Sequence, residues 1–228
     1  MDMKKVVFLF LMLGIGYSVH SQEINDWENP QVISINKQPY HANLTLPSER
    51  YSCGECESLD GIWKFRWYPR PEQRMVDFYD PSLDVSGWDD IVVPGEWHMQ
   101  GYGIPIYTNW TLPFKKDQPR VMSEPPTHYY SYINRNPVGQ YVTSFKVQGP
   151  MKDKTYYLHF GGVESAMYVW VNGHRVGYSE NSMSPAEFNI TPYIQEGENK
   201  LAVEVYSYSD GSYIEDQDMW RLSGIFRS

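Results

Sequence analysis

The amino-acid sequence predicts an all-β fold, an antiparallel β-sandwich of jelly-roll type preceded by an extended N-terminal arm. Three observations predict it. Short runs alternate apolar and polar residues with the two-residue period of half-buried strands. Between two such runs stands Asn172-Gly173, a pair that supplies positive φ for a type I′ hairpin turn. Nowhere does a helical period last beyond a turn or two, and short strands separated by turn residues are the mark of sandwiches.

Taken in order, the chain opens on Met1 to Lys5 with two lysines, then the unbroken apolar run Val6 to Leu13, then looser residues to Ser21. This reads as a secretory signal peptide, residues 1–21, cut near Ser21 and too short to span a membrane. The mature chain is then exported, to a periplasm or beyond in a bacterium, and no other segment reads as a membrane span. Residues 22–50 are polar, with Pro30, Pro39 and Pro47 and no sustained period, and are read as the extended arm; residues 51–228 form the sandwich. The pair Cys53-Gly54-Glu55-Cys56 has thioredoxin-like spacing but no βαβ pattern beside it, so a disulfide, free thiols and remote metal ligands all stay open.

The first strand is expected at Gly61 to Tyr68, where Trp63, Phe65 and Trp67 form a buried face against Lys64 and Arg66. Ile91-Val92-Val93 makes a short run stopped by Pro94. Gly95 to Asn136 is rich in turn formers and aromatics, and a loop of that length favours a ligand-binding role. Strands resume at Gln140 to Val147 and Thr155 to Phe160, and the hairpin Ser165 to Val171 and Arg175 to Tyr178 follows. Lys200 to Tyr208 is the last, with Leu201, Val203 and Val205 inward and Glu204 outward.

Composition narrows the function. A chain of 228 residues with 41% hydrophobic content builds a real core, and a net charge of −9 argues against nucleic acid, which wants a basic stripe. A neutral substrate fits better, and 19 Tyr with 8 Trp supply stacking surfaces or a thick core. The six histidines, His20, His41, His98, His128, His159 and His174, are scattered without metal-ligand spacing. Sequons at Asn43, Asn109 and Asn189 carry weight only in a eukaryotic source.

The tail Ser209 to Arg227 concentrates the chemistry. Asp210, Glu215, Asp216 and Asp218 place four carboxylates in nine residues, interleaved with Tyr213 and Trp220. Carboxylates beside flat rings suit a cation that takes oxygen donors, or a sugar whose hydroxyls meet the acids while its CH face lies on a ring. A solvated acidic loop is the plain alternative. A glycosidase pair, about 5–5.5 Å apart for retention or about 6.5–9.5 Å for inversion, would need a second acidic cluster facing the first, and the long aromatic loop holds none.

The blocks DWENP (Asp26 to Pro30), GYGIPIYTN (Gly101 to Asn109), WVNGHRVGY (Trp170 to Tyr178) with SPAEFNIT after it, GENKLAVEV (Gly197 to Val205) and SDGSYIEDQDMWRLSGIFR resemble a known family. They resemble the N-terminal, sugar-binding jelly-roll domain of family 2 glycoside hydrolases, and among these the large bacterial β-galactosidases of the lactose-operon type. The resemblance implies retaining hydrolysis of terminal β-D-galactose by two glutamates of a (β/α)₈ barrel that would follow this domain, so that the chain by itself is expected to be inactive. It implies that Asn109 lies close to the galactose, and that Asp218 contacts a galactose hydroxyl and ligates a sodium ion. Further sodium ligands, and those of magnesium, would come from the barrel, and the parent enzyme would be a homo-oligomer. Of Glu215 and Asp216, one is expected to hold the loop by bonding backbone amides or Arg221; Trp220 and Tyr107 are expected as walls of the sandwich. A free-standing carbohydrate-binding or assembly module of the same fold is the competing reading.

Overall fold

The computed structural model describes residues 25–41, 56–215 and 217–228. The expected leader, Asn43, Cys53 and Asp216 lie outside the described residues. Thirteen strands follow one another: β1 (Ser34–Ile35), β2 (Gly61–Tyr68), β3 (Asp89–Val93), β4 (Ile106–Thr108), β5 (Val138–Val147), β6 (Tyr157–Phe160), β7 (Gly162–Glu164), β8 (Ala166–Val171), β9 (His174–Glu180), β10 (Ala186–Asn189), β11 (Gly197–Tyr206), β12 (Met219–Arg221) and β13 (Gly224–Arg227). Among the described residues every helical element is a short 3-10 turn.

Seven strands make one antiparallel sheet in the order β1-β9-β8-β11-β5-β2-β3. The pairs β6–β10 and β7–β13 form the opposing layer. Phe65, Ile91, Tyr141, Val169 and Val203 of the large sheet share one buried cluster with Leu158, Phe160, Val163, Phe188 and Ile225 of the small pairs. The fold is thus an all-β antiparallel sandwich. Period-two patterning explains it, since each strand offers the cluster every second side chain.

Local chemistry sets the strands. Asn172 and Gly173 take φ of 50° and 83°, which turns β8 into β9 as the type I′ step requires. Asn172 also ties the turn to β11: its Nδ2 donates to Asn199 Oδ1 at 2.8 Å and its Oδ1 accepts from the Lys200 N–H at 2.9 Å. Gly139 in β5 is small because a Cβ there would stand 2.6 Å from the Trp97 ring.

Glu204 corrects the one-sided reading of β11. It was expected on a wet face, yet it is 4% exposed. The reverse face of the sheet is covered too. Phe78 and Trp88 pack there with Val142 and Ala202, and Trp27 from the 25–41 segment stacks on Tyr206 with ring centroids 5.1 Å apart. A carboxylate caught under these layers is stable only if it is answered. Glu204 accepts from Gln140 Nε2 at 2.6 Å, Tyr206 Oη at 2.7 Å and Arg74 Nε at 3.3 Å.

Trp97, Phe114, Val121 and Ser131 are buried within the Gly95 to Asn136 stretch, so it is packed chain rather than a free loop. It carries β4, and the tail carries β12. Their pairing into a two-stranded ribbon brings the sequence's two aromatic-rich segments together. Among the described residues no helix is long and apolar enough to cross a membrane.

Candidate functional site

β4 and β12 pair antiparallel, with Met219 opposite Thr108, Trp220 opposite Tyr107 and Arg221 opposite Ile106. One step further along this register lie Asp218 and Asn109, on facing strand ends. The two site residues singled out in the sequence, 109 positions apart, are therefore brought together at one end of the ribbon. Both are exposed.

The Tyr107 hydroxyl donates to Asp218 Oδ1. That bond orients the carboxylate and, as the leading cause, raises the tyrosine's own pKa by holding its proton against a negative neighbour. Asn109 Oδ1 accepts from the Trp110 backbone N–H at 2.9 Å, which leaves the amide nitrogen as the donor available to a ligand.

The expectation that Trp220 and Tyr107 are sandwich walls fails. They are 55% and 53% exposed, with ring centroids 5.7 Å apart, and neighbouring Trp110 is 77% exposed. On the outward side of this peripheral ribbon no second layer covers the rings, so they stay on the surface. An amide, a carboxylate and three open aromatic faces are the equipment that holds a sugar, polar groups for hydroxyls and rings for the CH face.

Asp210 and Glu215 separate from Asp218. Asp210 stands near Glu180; Glu180 accepts from the Tyr178 hydroxyl at 2.8 Å, and burial first, with the Asp210 charge adding to it, pushes the Glu180 pKa up. Glu215 accepts from the Ser182 N–H at 2.8 Å and the Ser182 hydroxyl at 2.7 Å, and so holds the loop by a backbone amide. Behind the ribbon lies a cavity of about 280 Å³ lined in part by Phe114, Glu164, Tyr208, Met219 and Arg221. Burial, reinforced by Glu215, pushes the Glu164 carboxyl up to about 8, while Arg221 pulls the other way.

Of the histidines, His98 is the clearest in role. Burial drives its pKa down to about 4, and the neutral ring accepts the Ser223 N–H on Nδ1 at 3.1 Å. It is a structural acceptor. Asp218 offers the oxygen chemistry that a hard cation takes. Among the described residues no group of three or more His, Cys, Asp or Glu converges on a metal position. The sequence did not single out Thr108, Glu164 or the Tyr107 hydroxyl for the site. The alternating Tyr107-Thr108-Asn109 and Asp218-Met219-Trp220-Arg221 were the available signal, too short to read as strands.

Residues 56–228 match the family model for the sugar binding domain of glycosyl hydrolases family 2. The chain belongs to that family. It is 44% identical over 220 residues to the β-galactosidase of Priestia megaterium, covering 92% of this chain and 21% of that protein. To the β-galactosidase of Halalkalibacterium halodurans it is 49% identical over 202 residues, covering 86% of this chain and 19% of that protein. The chain thus spans about a fifth of the length of these relatives. A solved structure of a calcium-binding mutant of Bacteroides uniformis beta-glucuronidase 2 overlays with a TM-score of 0.51 at 20% identity, covering 75% of this chain and 17% of that one. Its likeness concerns the fold alone, and it agrees with the sandwich.

Proposed function

We propose that this domain belongs to an exported β-galactosidase that hydrolyses terminal, non-reducing β-D-galactose, and that it builds one wall of the galactose pocket. The observation that carries the reading is the β4–β12 register, which sets Asn109 and Asp218 side by side under exposed rings. The naming of the relatives as β-galactosidases supports the substrate class. In this reading Asp218 accepts a sugar hydroxyl, Asn109 donates its amide N–H to another oxygen, and Trp110 or Trp220 flanks the CH face. Tyr107 keeps the Asp218 carboxylate turned toward the pocket.

The acid/base and the nucleophile are assigned to a different part of the enzyme. Retention needs two carboxyls about 5–5.5 Å apart. Here Glu215 is spent on the Ser182 N–H and hydroxyl, so it is not available to face Asp218. A sodium ion, when bound, would supply a positive charge that offsets Asp218 and a coordination position for a sugar oxygen; magnesium belongs with the catalytic part. The signal-like leader supports export, and a homo-oligomer is the expected assembly of the parent enzyme.

The test is Asp218→Ala in the full-length enzyme, assayed with a chromogenic β-galactoside over a sodium series. Loss of a hydrogen bond to a charged group, worth roughly 2–3 kcal/mol, lowers kcat/KM on the order of 100-fold and abolishes the sodium response. A variant that keeps the wild-type sodium response removes Asp218 from the site.

A further inference from the structure

We propose that Arg221 is a positioning residue that locks Asn109 and Asp218 into one geometry. The inference rests on the sugar-site reading above and adds a residue to it. Arg221 closes β12, and despite its charge it is 8% exposed. Its guanidinium turns inward across the ribbon. Nε donates to Thr108 Oγ1 at 2.9 Å, and one terminal nitrogen, Nη2, donates to the Gln217 backbone carbonyl at 3.2 Å. Thr108 immediately precedes Asn109, and Gln217 immediately precedes Asp218. One planar group therefore bonds to the residue before each site side chain.

The ribbon needs such a tie. Its strands have three residues each, and an isolated two-stranded pair of that size is marginal without outside support. Packing supplies little from behind, because Met219 and Arg221 both line the cavity of about 280 Å³. With a void on that side, hydrogen bonds rather than close packing must set how far apart the strand ends stand. The guanidinium suits this because its donors form a rigid fork; a lysine ammonium is a point charge on a flexible stem and cannot hold two acceptors at a fixed separation.

Positions held by a fork act on binding geometry, and a misplacement of about 1 Å can cost on the order of 100-fold in rate. The distinguishing experiment uses the full-length enzyme with Arg221→Lys and with Thr108→Val, assayed beside Asp218→Ala. Thr108→Val keeps the shape of the side chain and the strand preference while deleting the acceptor, so it protects the test against a lysine variant that fails to fold. The expected result is a drop in kcat/KM of about 10-fold or more for Arg221→Lys and about 3-fold or more for Thr108→Val, by the loss of one or two hydrogen bonds. The apparent sodium affinity and KM for the galactoside should weaken in both, with the Thr108→Val melting temperature at the wild-type value. A merely structural arginine would lower the melting temperature and leave KM and sodium affinity of the folded enzyme unchanged. Wild-type KM and sodium affinity in both variants, alongside an inactive Asp218→Ala, overturn the role of Arg221 and leave the sugar site standing. A fully active Asp218→Ala overturns both.

Discussion

Two carboxylates with the same kind of neighbour mark two regions of different purpose. Glu204 in the large sheet and Asp218 on the β4–β12 ribbon each accept a tyrosine hydroxyl, from Tyr206 and Tyr107. Glu204 is buried and also holds Gln140 and Arg74, so its acceptor capacity is spent inside the protein. Asp218 is exposed, at the open end of a peripheral ribbon. The contrast is one of spent and unspent acceptor capacity: the fold answers Glu204 from three sides and leaves Asp218 open to solvent beyond its one tyrosine.

Substitutions that break the contrast should do so in different observables. The largest effect is expected from Glu204→Ala, which strands Gln140 and Arg74 under the covering layer. It should cost about 3–5 kcal/mol in chemical denaturation, the scale for removing one partner of a buried pair. Gly139→Ala tests the same region by volume. The added methyl would meet Trp97 and Phe65, so a loss of about 1–3 kcal/mol is expected in the same measurement.

Glu164 stands between the two regions, on the wall of the cavity behind the ribbon, and its signature is a pH slope. Its folded pKa of about 8 lies above that of a glutamate in an unfolded chain, about 4.3. Between those values the folded state keeps a proton that the unfolded chain releases. Stability should therefore fall as pH rises through that window and level off above it. Glu180, raised to about 8 as well, contributes with the same sign. Denaturation midpoints from pH 5 to 8.5 should thus show a shallower decline for Glu164→Gln than for the wild type, though not a flat line. An unchanged slope would mean that Glu164 is ionised in the fold.

The smallest stability effect belongs to the ribbon's surface. Trp220→Ala should shift the unfolding free energy by no more than about 0.5 kcal/mol, since an exposed ring has little packing to lose. In the full-length enzyme the same change should raise KM for a β-galactoside several-fold. A large stability loss would return Trp220 to the wall role that its sequence context suggested.

Much of the sheet was legible because period-two patterning and one turn are local signals. β2 matches the alternating run Gly61 to Tyr68 residue for residue, and Asn172-Gly173 marked the β8–β9 hairpin. β4, β7, β12 and β13 were not legible, since strands of three or four residues are too short to display a period. Glu204 was misplaced for another reason. Alternation tells which residues share a face, but the covering of the second face comes from Trp27, Phe78 and Trp88, distant in the chain. At the site, motif resemblance singled out Asn109 and Asp218, whereas their juxtaposition and the Arg221 fork follow from strand pairing, which is a tertiary property.

The most direct test is a double-mutant cycle on kcat/KM for β-galactoside hydrolysis, with Asn109→Ala, Asp218→Ala and the double variant in the full-length enzyme. If the two side chains grip one sugar, each single variant loses activity by about 10-fold or more, and the double variant loses less than the product of the two, because one removal already frees the sugar from its fixed pose. Wild-type kcat/KM in both single variants would contradict the assignment of this ribbon as the wall of the galactose pocket.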